Sequence, residues 1–287
     1  RDLHSFPTRR SSDLVPLFLG MGVIAISFAA IFFKKAEPTH PLVAAAIRLS
    51  AAALLLSPFL VRSIKRGRVS ARLIRYALFG GLMYAVHFGT WVTSLTLTSI
   101  AASVTLVTTT PLLLGVAGII SGRDRPDRRW WLSLALAGGG LALISGGGFW
   151  QAGAIKGDGL ALLGACAMAL YMLTARRLGK ELDVPDFSAI ATAVGALVLI
   201  MAALAAGIPI MAASDEALFY LLLAALIPQL IGHNAITWAL RYTAPTVTGL
   251  AILGEPVGAA IIGWIWLGQG ISAAVGTGCA LTLCAVA

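Results

Sequence analysis

Charge is scarce in this chain. Its 287 residues carry only 21 Lys+Arg and 12 Asp+Glu, or 11%, where soluble domains carry about 25%. Cysteine is equally rare: Cys166, Cys279 and Cys284 lie in apolar stretches with no CxxC and no neighbouring His, so neither a disulfide framework nor a zinc site is supported. They read as small packing residues. No GxxxxGK[ST] occurs, so ATP is not implied as a driving force. No metal and no cofactor is expected.

What is abundant is apolar side chain. Hydrophobic residues make up 59% of the chain and its mean hydropathy is +0.90. That is too much for one water-soluble core, and it falls in long blocks between short charged stretches, as lipid-spanning helices require. Soluble enzymes and nucleic-acid binders are thereby set aside. The net charge of +9 names no polyanionic partner, because membrane proteins gather Lys and Arg in their cytoplasmic loops.

Residues His4 to Leu14 read HSFPTRRSSDL, which resembles a translated sequencing-library adapter, so residues 1–14 are set aside as a non-native leader; a natural basic tail is the alternative. The apolar run that reaches Ala287 without a polar tail reads as a second truncated end. Apolar runs of spanning length then fall near 15–33, 41–61, 73–92, 97–119, 131–148, 158–176, 187–209, 217–238, 245–266 and 271–287. These predict an all-α membrane protein of ten transmembrane helices.

One ungapped shift superposes Leu95, Thr98 and Pro111 on Leu240, Thr243 and Pro256, carries Asp13 onto Asp158 and aligns the span boundaries. The chain therefore reads as two five-helix repeats, 15–148 and 157–287. An odd number of crossings makes the second copy enter the bilayer from the opposite side, so the repeats are inverted, as in many secondary transporters. Basic residues cluster at Arg62 to Arg75, Arg123 to Arg129, Arg176 to Lys180 and Arg241, against Lys34, Lys35 and Lys156 on the other side. The positive-inside rule places the richer side and both termini in the cytoplasm. The Arg62 to Arg75 run needs no nucleic-acid or lipid partner to explain it, although a lipid patch is the alternative.

Outside the leader, one acid, Glu255, and one base, Arg48, lie well inside a span. A central charge costs roughly 2.5–3.5 kcal/mol on insertion scales, so each should face a bundle interior, a water-filled cavity or a partner. Glu255 precedes Pro256, which is expected to kink its helix; a buried carboxyl there can carry protons between the two sides, or be a paired or protonated packing residue. Arg48 suits bidentate recognition of a carboxylate or else snorkels to the outer interface. Thr110-Pro111 is the counterpart of Glu255-Pro256. Thr98, Thr105 and Thr109 are read as one helical face, lining a solute path or bonding back to their own carbonyls. Spans three and eight offer Tyr84, His87 and Trp91, and Gln229, His233, Asn234 and Trp238, a polar-aromatic wall for a small amphiphilic solute or ordinary packing. Metal ligation by the two histidines is not expected. Gly138 to Gly140, Gly146 to Gly148, Gly276 and Gly278 read as close helix contacts.

Together these residues resemble the drug/metabolite transporter superfamily of the two-repeat EamA type. The resemblance rests on Pro41 with Arg48, the stretch from His87 through Trp91 and Ser94 to Pro111, Gly157-Asp158 with Tyr171 and Arg176-Arg177, and His233 through Trp238 to Tyr242 and Glu255-Pro256. It departs from the family at Arg123-Asp124 and Gln269, where members often carry glutamate, and at Ile26-Ser27-Phe28, where a tryptophan is often found. The resemblance implies a multi-pass plasma-membrane carrier exporting amino acids, related metabolites or drugs by alternating access, in exchange for protons or without coupling. Its partners would be the solute, the bilayer and protons, with no oligomeric state implied. The sites expected for it are Arg48, Tyr84, His87, Trp91, Thr109, His233, Asn234 and Trp238 for solute, Glu255 for coupling, and Pro111 and Pro256 as helix kinks. An intramembrane enzyme is the rival class. Aspartyl proteolysis needs two membrane carboxylates and the sequence supplies one, while a hydroxyl such as Ser145 has no neighbouring His. A non-transporting scaffold would carry a soluble domain.

Overall fold

The computed structural model describes residues 14–122, 126–146, 154–268 and 270–286. The leader up to residue 13, Arg123-Asp124, Gly147-Gly148, Gln269 and Ala287 lie outside them. Every regular element among the described residues is helical. The first half contains α1 (Val15–Ile26), α2 (Ala29–Lys35), α3 (Pro41–Lys65), α4 (Ala71–Ser94), α5 (Ile100–Val107), α6 (Thr110–Ser121) and α7 (Arg128–Ile144). The second contains α8 (Ile155–Leu178), α9 (Val184–Ala205), α10 (Asp215–Ala224), a π-helical segment Ala225–His233, α11 (Asn234–Ala239), α12 (Pro245–Ile252), α13 (Glu255–Leu267) and α14 (Ala273–Val286).

Among the described residues, seven helical stretches are long and apolar enough to cross a bilayer: Val15–Lys35, Pro41–Lys65, Ile100–Ser121, Ile155–Glu181, Val184–Ala205, Asp215–Ala239 and Pro245–Leu267. The other three expected crossings fall short by that measure. Helix α4 has the length, 24 residues, but carries Arg72, Arg75, Tyr84 and His87 in place of aliphatics. Helices α7 and α14 have 17 and 14 residues, less than the roughly 20 that span 30 Å of hydrocarbon. The outer faces are nonetheless apolar: Ile120 is 81% and Leu54 72% exposed, an arrangement suited to lipid and not to water.

Prolines set where helices end. Pro111 has no N–H to donate to the carbonyl four residues back and its ring crowds that carbonyl; that residue is Val107, where α5 stops. Pro256 does the same to Ile252, the last residue of α12. Both prolines then sit in the first turn of the next helix, where a missing donor costs nothing. The expected bends are thus complete interruptions, at equivalent positions of the two halves. Because of the first one, Thr98 precedes α5 and Thr109 lies in the break, so Thr98, Thr105 and Thr109 do not share a face of one continuous helix.

The halves pack through matching contacts. Helix α8 lies along α4, and α1 along the π segment and α11; α9 packs on α3 and α4, α6 on α12, and α7 on α14. The last two helices touch backbone to backbone: a Cβ on Gly140 would come 2.6 Å from Gly278 O, and one on Gly278 3.0 Å from Ile144 N. Pairing of Gly140 with Thr282 and Gly278, and of Gly278 with Gly140 and Ile144, means that these equivalent helices run antiparallel. Gly138 and Gly139 face open space and a Cβ on Gly276 would reach only Ile271 at 3.9 Å, so the close-contact role belongs to Gly140 and Gly278. Nor are the cysteines uniformly packing residues. All three are free, and Cys166 and Cys284 are exposed, because they fall on outward helix faces.

The symmetry fails at one helix pair. Helices α4 and α8 are continuous, whereas their counterparts are irregular: α1 and α2 are separated by Ser27-Phe28, and the helix after α10 widens into the π segment around Pro228. Ser27 Oγ donates to Val23 O at 2.8 Å, the back-bond that bends helices, and Pro228 removes a donor that the wider π turn accommodates.

Candidate solute site

At the level of the two helix breaks the bundle encloses a cavity of about 30 Å³, lined by Glu255, Thr108, Thr110, His87, Trp91, Tyr171, His233 and Thr237 with Ile26, Ala29, Met168, Met172 and Ile252 between them. That volume holds a water molecule or two, so the centre is narrow in this conformation. Glu255 is 9% exposed and opens α13; its carbonyl accepts from Ser27 Oγ at 3.3 Å, tying the break to the bend in the first helix.

The two breaks differ chemically. Thr108, Thr109 and Thr110 donate to Val104, Leu106 and Val107 carbonyls at 2.9, 2.7 and 3.0 Å. They satisfy the acceptors that a helix end leaves open. Their counterparts are Leu253, Gly254 and Glu255, with no hydroxyl to do so. The second break therefore lacks these side-chain donors and carries a carboxyl where the first carries a hydroxyl.

Around the cavity the rings interlock. His87 Nδ1 lies 2.9 Å from Gly164 O, which assigns the proton to that nitrogen and leaves Nε2 for the cavity. Tyr84 stacks on Tyr171 at 4.0 Å, Tyr171 Oη meets Thr237 Oγ1 at 3.1 Å, and His233 sits 6.5 Å from His87 and 5.5 Å from Phe88, centroid to centroid. One ring layer behind the cavity lies Arg48, 0% exposed. Its Nη2 donates to Gln229 Oε1 at 3.0 Å, and its guanidinium faces Phe88 at 4.3 Å and Phe33 at 5.6 Å. Its Nε and Nη1 have no hydrogen-bond partner. The ion pairs among the described residues are Lys34–Glu37 and Arg72–Glu181, neither of which includes Arg48. Full burial rules out the snorkelling reading.

The structure thus draws Arg48, Tyr84, His87, Trp91, His233 and Glu255 to one centre. Three expected residues lie elsewhere. Thr109 has its hydroxyl committed to Leu106 O. Trp238, one position past Thr237 and so about 100° round the helix, packs on Phe18 and Tyr242. Asn234, next to His233, is half-buried and does not line the cavity. Phe33 and Phe88 went unmarked because apolar rings carry no distinctive pattern, whereas Thr108 belongs to the hydroxyl-rich fourth span and does line the cavity. The repeat did hold a signal: the shift that superposes the prolines also places Tyr84 on Gln229 and Phe88 on His233. No cluster of His, Cys, Asp or Glu among the described residues could hold a metal.

The model of the EamA-like transporter family matches residues 15–146 and again residues 155–287. The chain belongs to that family. It is accordingly a multi-pass membrane protein and a transporter of the drug/metabolite type, built from two EamA repeats. A protein known from a crystal structure superposes on it with a TM-score of 0.75 at 15% identity, over 95% of each chain, a likeness of fold alone. No curated protein matches this chain.

Proposed function

We propose that this EamA transporter is a secondary carrier that exports a small metabolite, an amino acid or related compound or a drug, across the plasma membrane by alternating access. In this reading the chain crosses ten times as two inverted five-helix repeats, with α4, α7 and α14 completing the set and both termini in the cytoplasm. The observation that carries it is the pair of equivalent helix breaks meeting at one narrow cavity beside the buried Glu255. Inverted halves have two nearly equivalent arrangements, one open to each side. The irregular α1 and π-segment pair, set against its regular α4 and α8 counterpart, supplies the element that differs between them.

Glu255 is the coupling residue. It is the one acid at the cavity, and a carboxyl there can take a proton from one side and release it to the other as the halves exchange roles. The test is solute flux into liposomes with and without a proton gradient, for the native protein and for Glu255→Gln. Gradient-driven accumulation by the native protein and its loss in the variant are expected. Equilibration without accumulation by the native protein would instead make it an uncoupled facilitator.

A further inference from the structure

Arg48 is the one fully buried cation among the described residues, and no carboxylate among them stands within ion-pair distance of it. Its Nε and Nη1 are left without acceptors, and Trp91 Nε1, on a cavity-lining residue, is likewise a buried donor with no acceptor. Buried donors of this kind are costly to leave unpaired, more so when charged. A guanidinium pairs with both oxygens of a carboxylate through two parallel N–H groups, Nη2 with Nε or Nη2 with Nη1, and Nη2 keeps one N–H beyond the one it gives to Gln229. The rings of Phe33 and Phe88 hold the guanidinium between them, and both contact Trp91.

A second feature points the same way. Where α4, α6 and α8 end on the arginine-rich side, a vestibule of about 830 Å³ is lined by Arg72, Arg176 and Arg177 together with Tyr76, Leu114 and Leu173. Arg176 Nη1 is held by Leu240 O at 2.8 Å, and Arg72 by Glu181 at 2.9 Å. The vestibule and the cavity share two helices. Leu114 follows Thr110 by one turn on α6, and Leu173 adjoins Met172 on α8. A positive mouth over a positive centre draws anions and repels cations.

We infer that the solute is an organic carboxylate, gathered at the Arg72–Arg177 vestibule and anchored in the open site by Arg48, through Nη2 together with one of the unpaired Nε and Nη1, with Trp91 Nε1 as a further donor. This rests on the carrier reading of the same site and narrows it, since an amine is dispensable and a lipophilic cation is excluded. Reaching Arg48 requires the His233 and Phe88 layer to part, which the widened π turn under His233 allows.

The experiment measures ligand stabilisation of the protein in nanodiscs against four probes that share one ring: phenylacetate, phenylalanine, phenethylamine and phenylacetamide. Binding to the folded state raises the melting temperature by mass action. The two carboxylates should stabilise and the amine and the amide should not. Arg48→Lys, which keeps the charge but loses the fork, should demand roughly tenfold more phenylacetate. Should that variant not fold, Trp91→Phe, which keeps the ring and removes the N–H, should raise the requirement about threefold. Arg177→Gln should slow phenylacetate association at low salt, with the difference vanishing at high salt. Equal stabilisation by amine or amide, no response to either carboxylate, or an unchanged phenylacetate requirement in Arg48→Lys or Trp91→Phe would overturn the assignment. Flux separates the two readings: a carrier of other solutes that ignores every carboxylate sinks the anion site alone, whereas carboxylates that bind but never cross sink the carrier alone.

Discussion

Arg48 and Gln229 meet at 3.0 Å across the centre of the protein, joining α3 of the first repeat to the π segment of the second. The contact is the one hydrogen bond that the buried guanidinium makes to the protein. It places the hydrogen-bond acceptor of Arg48 on the most irregular turn of the fold, so any change of that turn is felt at the charge.

Gln229→Leu should therefore be felt throughout the molecule. It leaves every guanidinium N–H unpaired and should cost about 1.5–3 kcal/mol, the range for hydrogen bonds to charged groups, read as a lowered melting temperature in nanodiscs. Gln229→Glu should instead raise the melting temperature by supplying a counter-charge, while abolishing flux because Arg48 is then permanently occupied. A Gln229→Glu protein that transports normally would show that Arg48 plays no part in the cycle.

The α4–α9 contact should tolerate no added bulk. A Cβ on Gly81 would lie 2.6 Å from Val194 Cβ and 2.8 Å from Ala191 O, distances that force the helices apart. Gly81→Ala should cost about 1–3 kcal/mol by overpacking. Gly138→Ala, where nothing lies within 4 Å, should change the melting temperature little and so serves as the control.

The bend at Ser27 should be needed for movement. Gly258 admits Ser27 so closely that a Cβ there would come 2.6 Å from Ser27 Cβ, and Ser27 Oγ bridges Val23 and Glu255 carbonyls. Gly258→Val should separate α1 from α13 and reduce liposome flux strongly. Ser27→Ala, which keeps the close approach and loses only the hydroxyl, should reduce it modestly.

Exposure should not mean access to water. Cys166 is exposed on α8, but in this reading it faces lipid. A membrane-impermeant maleimide should leave it unlabelled in intact vesicles, while a cysteine placed at Gly118, in the vestibule, should label from the cytoplasmic side. Labelling of Cys166 in intact vesicles would contradict the lipid-facing placement of α8.

Much of this protein was legible in one dimension, because a bilayer imposes a crude and strong filter. Long apolar blocks, the rarity of Glu255 and Arg48 within them, and the spacing of Pro111 and Pro256 all report on costs that are local: a charge in hydrocarbon, or a helix turn without its donor. Those determined the all-helical architecture, the two repeats and the places where helices stop. The partners were decided only by folding. Thr109 and Thr110 have like sequence contexts and both bond back to the end of α5, yet only Thr110 lines the cavity. Trp238 and Thr237 are adjacent, yet only Thr237 faces Tyr171. Arg48 could have turned to the interface or inward until α3 was packed against α9 and the π segment. A side chain's direction depends on the rotation of its helix, which is set by packing against residues more than a hundred positions away, and no local pattern encodes that.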